Sequence, residues 1–219
     1  MALPASGYLQ LGTDGATGRS INSEFGYGND MASYQGVYYG KLGFAFQFPT
    51  PGNSIAMDLF YSTNKITGGS QYFSGSQNYT IPVYNTITIT SVGGQGGQAG
   101  YNGTNTCGAP CGESGGGGGG GGTSTFGGYV TSGGGPGGGG GSNGGGGSYG
   151  PTVTTTFTNP VQGGSGPTSG TTLYVTVGGG GSGGGGGKNC FIYYGTCISL
   201  TSAPGGSGGG AGYVSISWT

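Results

Sequence analysis

The chain has 219 residues, 64 of them glycine, with four Lys and Arg, five Asp and Glu, no His and a net charge of −1. Without His, neither a Ser–His–Asp triad nor a His-bearing zinc site can be assembled, and most general acid–base schemes lack their parts; four cations are too few to neutralise a run of phosphates, so no nucleic acid is expected as a partner. Apolar side chains are scarce, yet the near-zero charge is not that of a self-repelling disordered chain, which leaves a non-enzymatic structural or binding protein, and 16 Tyr and 9 Phe favour binding.

From the N-terminus, MALPASGYLQLG has neither a basic stretch nor an apolar core and does not read as a signal peptide. The expectation is a protein made in a cytoplasm that stays there or leaves by another route, such as cell lysis. No apolar run approaches the roughly 20 residues of a membrane span. Glycine then divides the chain: residues 1–92 hold 13 glycines and residues 93–219 hold the other 51. Charge runs the other way, with only Glu113 and Lys188 beyond position 92. Two regions follow, 1–80 and 81–219.

The first region reads as short strands and turns. Phe44, Phe46 and Phe48 alternate in GFAFQF (43–48), the period-two mark of a strand. TPGN follows as a turn, and SIAMDLFY (54–61) fits either a short strand or one helical turn. The summed core is small enough that support from the second region or from a partner is expected.

In the second region, Thr-, Val-, Ile- and Tyr-rich segments recur at 86–92, 125–132, 151–158, 171–177 and 213–219, the composition of pleated, half-buried strands. Glycine runs lie between them at 115–122, 137–141, 144–147, 178–181 and 183–187. Such runs make either flexible linkers or an ordered lattice. A polyproline-II rod has three residues per turn and no internal hydrogen bonds. Its N–H and C=O groups therefore point outward in three directions, and rods of glycine can bond to one another side by side. The recurrence of the runs between strands favours the lattice. A collagen-type Gly-X-Y period with abundant Pro is missing. The fold class expected is mainly β: a small N-terminal strand and turn module, then a glycine-rich domain of strands and packed polyglycine II-like rods.

The cysteines come as local pairs, Cys107 with Cys111 and Cys190 with Cys197, at spacings unlike those of a zinc knuckle. Two local disulfides pinning loops are preferred over free thiols or a metal site. Gly187-Lys188-Asn189 fails as a phosphate loop, since Ser182 stands where its first glycine is needed, Asn189 replaces the hydroxyl and no helical pattern follows. The acidic residues are too scattered for a carboxylate pair. No metal or cofactor is implied. Aromatic loops are the binding candidates: Tyr101 and Asn102 in 98–113, Tyr149 and Phe157 in 148–161, and Lys188, Phe191, Tyr193 and Tyr194 in 188–197. Tyrosine supplies rigid contact area at low entropic cost. The same rings could instead form an apolar lid on the lattice.

Two stretches carry a resemblance. GRSINSEFGYGNDMASYQGVYYGKLG (18–43) with NSIAMDLFYSTNKI (53–66) resembles a short repeated module of tailed-phage virion proteins, departing from it at Ser62-Thr63. Residues 81–219 are similar to the glycine-rich domain of phage tail-fibre and adhesin proteins. Pro82-Val83-Tyr84-Asn85-Thr86, Ser124-Thr125-Phe126-Gly127, the stretch 172–178 and the Trp-ending strand at 210–218 carry that likeness. The resemblance implies a virion protein, most simply a tail-fibre or adhesin component. Other virion proteins would be held through residues 1–80, and packed polyglycine rods would support loops that meet a host receptor, protein or glycan; a homo-oligomer is possible in such an assembly. A minor decoration protein touching only other virion proteins is the alternative within that class. A glycine-rod antifreeze protein is a more distant one, since it needs a flat, regular Thr/Ala face and here Thr clusters in the strand segments rather than recurring every three residues along the rods.

Overall fold

The structure is a computed structural model and describes residues 20–27, 30–41, 44–51, 53–55, 57–60, 63–103, 114–140, 144–160, 163–194 and 196–219. It is mainly β, with 34% strand and 7% helix, and among the described residues no helix has seven or more residues.

The N-terminal unit is built on aromatic rings. One helical turn, α1 (Ile21–Phe25), precedes a 3₁₀ turn (Met31–Tyr34), whose first N–H groups are capped by Asp30 accepting from Ala32 N at 3.0 Å. Strands β1 (Tyr38–Lys41), β2 (Phe44–Gln47) and β3 (Thr63–Lys65) form an antiparallel sheet in the order β2-β1-β3. SIAMDLFY resolves into a 3₁₀ turn at Met57–Phe60. Phe25, Tyr34, Phe48 and Phe60 are fully or almost fully buried. Phe25 meets Tyr34 and Phe60 edge-on at 6.2 and 6.1 Å, and Phe48 lies 4.3 Å from Phe60. Such contacts add to the area term, which is how so short a segment closes a core. The three-phenylalanine alternation is only partly realised: Phe48, just past β2, is buried, while Phe46 is 37% exposed and stacks on Tyr39.

The second unit begins with β4 (Gly69–Phe73) and β5 (Gln77–Thr80), followed by β6 (Thr86–Val92), β7 (Ser124–Phe126), β8 (Val130–Ser132), β9 (Thr152–Thr158) and β10 (Thr172–Thr176). β11 (Lys188–Tyr193) and β12 (Thr196–Ser202) make a separate hairpin, and β13 (Tyr213–Trp218) is last. Two four-stranded antiparallel sheets, β4-β13-β6-β9 and β5-β10-β7-β8, share one core centred on Ile87, Ile89, Phe126, Val175, Val214 and Ile216. The segments read as strands at 86–92, 151–158, 171–177 and 213–219 are β6, β9, β10 and β13, whereas 125–132 is not one strand but a hairpin, β7 and β8 joined through the positive-φ pair Gly127 and Gly128. The pairing of β4 with β13 and of β5 with β10 brings chain N-terminal of residue 81 into these sheets.

The glycine runs are ordered rods, at 93–103, 114–123, 133–140, 144–151, 178–187 and 203–212. The 93–103 rod is central and shows the three-residue period directly. Its N–H groups at 94, 97 and 100 donate to Gly122, Gly119 and Gly116. Those at 95, 98 and 101 donate to Gly210, Ser207 and Pro204, and those at 96 and 99 to Ser148 and Gly145. Its carbonyls at 94 and 97 accept from Gly135 and Gly138, and those at 95, 98 and 101 from Gly181, Gly184 and Gly187. These bonds span 2.8–3.1 Å. Five rods thus surround the central one, and backbone pairing replaces side-chain packing. Glycine is obligatory at the closest approaches: a Cβ on Gly97 would overlap the Ser182 carbonyl, and one on Gly118 the Gly97 carbonyl.

The rods at 93–103, 133–140 and 178–187 rise from β6, β8 and β10; those at 114–123, 144–151 and 203–212 return to β7, β9 and β13. The unit is therefore one excursion repeated three times, from strand to rod, across a tip, and back by rod to strand. Buried serines join sheet to rod. Ser124 Oγ donates to Val92 O at 2.7 Å and accepts from Gly178 N at 2.9 Å, Ser132 Oγ accepts from Gly93 N at 2.9 Å and donates to the Pro151 carbonyl, and Ser91 Oγ donates to Ser124 O. Among the described residues no buried side-chain N or O lacks a partner.

Candidate functional site: the tip of the rods

Because three rods rise and three return, the rod ends at Tyr101, Gly144, Gly187 and Pro204 lie together, remote from the two sheets. Residues 104–113 and 141–143 belong to two of the connections between rods and lie outside the described residues. The third is the β11–β12 hairpin.

Tyr101 and Asn102 stand where the central rod reaches the tip. Tyr101 N donates to Pro204 O and Tyr101 O accepts from Gly187 N, which ties all three excursions together there, since the Tyr101 ring also lies against Gly144. The ring remains 42% exposed. Asn102 Oδ1 accepts from Gly115 N at 2.8 Å, so this side chain holds the start of the returning rod. Lys188 opens β11 beside them, its carbonyl next to Gly103.

The 188–197 segment, read as an aromatic loop, is a β-hairpin. Tyr193 pairs with Thr196, and Tyr194 follows Tyr193 in the turn. Tyr194 has φ +49°, the only positive-φ non-glycine residue among those described. Two-residue hairpin turns call for positive φ and ordinarily use Asn, Asp or Gly there. A tyrosine in that place is 91% exposed, with the 57% exposed Tyr193 ring edge-on at 4.6 Å. The Tyr194 ring is thus held outward on a backbone conformation that residues with a side chain rarely adopt. Phe191 lies in β11 opposite Ile198. The register sets Cys190 opposite Ser199 and Cys197 opposite Ile192, diagonal rather than facing positions. Cys107 and Cys111 lie outside the described residues.

Tyr149 and Phe157 are not brought to this cluster. Of the segment 148–161, the described residues 148–160 are the base of a rod and strand β9, not a loop. Phe157 is half-buried against the shared core, edge-on to Tyr129 at 5.8 Å. Tyr149 is 52% exposed at the rod-to-strand junction.

Two residues that matter to the rods escaped sequence reasoning. The ring of rods is open on one side, between 144–151 and 203–212. Gln95 and Gln98 fill that opening: their Nε2 groups donate to Gly147 O at 3.2 Å and Gly144 O at 2.8 Å. Their Oε1 atoms accept from Gly210 N at 3.2 Å and Ser207 Oγ at 3.0 Å. Two side-chain amides thereby do what a sixth surrounding rod would do with its backbone. The legible signal was GGQGGQAGY (93–101), in which every third residue is large. That position faces the opening, while the other two face rods.

No protein-family model, curated protein or solved structure is significantly similar to the chain.

Proposed function

We propose that the chain is a non-enzymatic structural protein of a tailed-phage virion, of tail-fibre or adhesin type, anchored through its N-terminal region to other virion proteins and meeting a host surface receptor at the tip of its rods. The observation that carries this reading is the convergence of three strand–rod–strand excursions on one end, where Tyr194 stands almost wholly exposed on a positive-φ backbone. A mesh of backbone hydrogen bonds makes a stiff support whose connections can vary without disturbing it. Pre-organised aromatic groups on such a support lose little entropy on binding. The nine charged groups and the lack of His support a binding rather than a catalytic role. The reading places the protein in the virion, after synthesis in the host cytoplasm.

The test is adsorption. Tyr193→Ala with Tyr194→Ala should reduce binding to intact host cells at least roughly tenfold, the scale of a hot-spot aromatic, with the melting temperature unchanged because neither ring is buried. Full adsorption by this variant would remove the tip from recognition. No adsorption by the unaltered protein, with tight binding to purified virion components, would assign it a decorative role inside the particle.

A further inference from the structure

A second surface lies at the other end of the molecule, on the outward face of the β4-β13-β6-β9 sheet. The alternation that buries Val214, Ile216, Ile87 and Ile89 turns the intervening residues outward, and these are hydroxyls almost throughout. Ser70, Ser217, Thr88 and Thr156 form one row across the four strands; Tyr72, Ser215, Thr90 and Thr154 form the next. The Thr88–Thr156 and Thr90–Thr154 hydroxyls bond to each other at 2.8 and 2.9 Å. A hydroxyl can donate once and accept twice, so each pair keeps one hydrogen and further lone pairs for an outside group.

At one end the rows stop at tyrosines. Tyr72 and Tyr213 stack at 5.3 Å with 29° between their planes, and Tyr72 is 58% exposed. Tyr149 lines with them a cleft of ≈ 450 Å³ together with Val92, Gly150 and Thr152. A second hollow of ≈ 410 Å³ continues from Tyr72 along the hydroxyl rows. Both volumes suit small-molecule sites. No charged side chain lines either hollow among the described residues.

We propose that this cleft binds a neutral saccharide chain. Absence of cations disfavours phosphorylated, sulfated or acidic ligands, and the density of hydroxyls disfavours a purely apolar partner. A neutral sugar matches both halves of the surface: its C–H face stacks on the exposed tyrosines, and its hydroxyls, donors and acceptors together, match the Thr and Ser rows. The cleft stands apart from the tip and its occupancy does not depend on tip recognition. It also gives the exposed Tyr149 a role that its distance from the tip denies it there.

The experiment titrates the full chain with short neutral gluco-, manno- and galacto-oligosaccharides, and with uronic-acid oligomers of similar length, following tyrosine fluorescence and calorimetric heat. Saturable binding of at least one neutral series is expected, with weaker binding of the acidic one. Tyr72→Ala should weaken it roughly tenfold, as loss of a central aromatic contact does. Tyr149→Ala, in the same cleft, should act likewise should the first variant fold poorly. The tip variant Tyr193→Ala with Tyr194→Ala should bind the same sugar with unchanged affinity. No saturable binding to any neutral series would overturn the proposal, as would binding indifferent to both cleft variants or abolished by the tip variant. Thermal hysteresis in freezing solutions without sugar binding would overturn it too and assign the Thr rows to ice. Sugar binding without cell adsorption would leave the cleft standing while the tip reading fell.

Discussion

The N-terminal unit and the rod unit reach the same end, a structure with its polar groups paired and water excluded, by opposite means. In the first, Phe25, Tyr34, Phe48 and Phe60 interlock, and the backbone is held by a short sheet and capped turns. In the second, the two sheets have an ordinary core, but above them the side chains are reduced to hydrogen atoms and the backbone itself is the packing surface. The comparison teaches that order requires satisfied groups in close contact, not hydrophobic residues as such. It also locates fragility differently. An aromatic core suffers when volume is removed; a rod mesh suffers when volume is added.

The sharpest way to break this contrast is to add volume to the mesh. Gly118→Val places carbon atoms on the Gly97 carbonyl and forces the central and second rods apart. The three hydrogen bonds between these rods, at roughly 1 kcal/mol each, are lost, so a destabilisation of about 3 kcal/mol or more is expected in thermal unfolding, with fast amide exchange at 94, 97 and 100. Gly139→Ala is the control, since a Cβ there meets nothing within 4 Å, and it should change stability by less than about 0.5 kcal/mol. Equal effects of the two would contradict the mesh. Gly119, at the middle of the longest run, is a poorer probe, because its Cβ would meet first the movable Ser182 hydroxyl at 2.6 Å.

Removing volume from the aromatic core comes next. Phe60→Ala should cost about 3 kcal/mol, as large-to-small changes at buried aromatics do. Hydrogen exchange should show opening within 20–65 while the rod amides stay protected. Loss of protection in both units at once would show that they unfold as one.

A smaller effect tests the open side of the ring. Gln95→Ala with Gln98→Ala strips the amides that bridge Gly144 and Gly147 to Ser207 and Gly210. Water can partly replace them at this surface, so about 2 kcal/mol is expected, with exchange quickening at the Ser207 and Gly210 amides before any others. Unchanged exchange there would mean that the glutamines merely lie over the groove.

The mildest change is alkaline. The Tyr84 phenol is fully buried and donates to Pro167 O at 2.7 Å. Burial foremost, and then the charge that Tyr129 would carry, raise its pKa above the ordinary value of 10.0. Its contribution is therefore fully present below about pH 10 and is lost as pH rises further, because the unfolded chain releases that proton first. Tyr84→Phe should cost about 1 kcal/mol near neutrality and flatten part of the alkaline fall in stability. Buried Tyr34 and Tyr39 and partly buried Tyr79 shift the same way and should retain the rest. An unaltered alkaline slope in the variant would remove Tyr84 as its source.

Much of this architecture is local and was legible in the chain. Period-two alternation in TITITSV and YVSISWT follows from one face meeting a core, and the ordering of the glycine runs follows from a backbone that must pair all its groups once side chains are absent. What no local pattern carries is who pairs with whom. The union of β4 with β13 joins residues 69–73 to the chain's last strand. The five-rod ring and the open side closed by Gln95 and Gln98 arise only when distant segments meet. KNCFIYYGTC looked like a loop because its turn lacks the usual Asn-Gly or Asp-Gly, and the positive φ that Tyr194 accepts instead is a property of the assembled hairpin. Likewise the hydroxyl rows and the Tyr72–Tyr213–Tyr149 cleft draw on separate strands and a rod base. Composition and periodicity set which groups must be buried or bonded; cross-strand register and the order of rods in space, both long-range, decided which side chains came to share a surface.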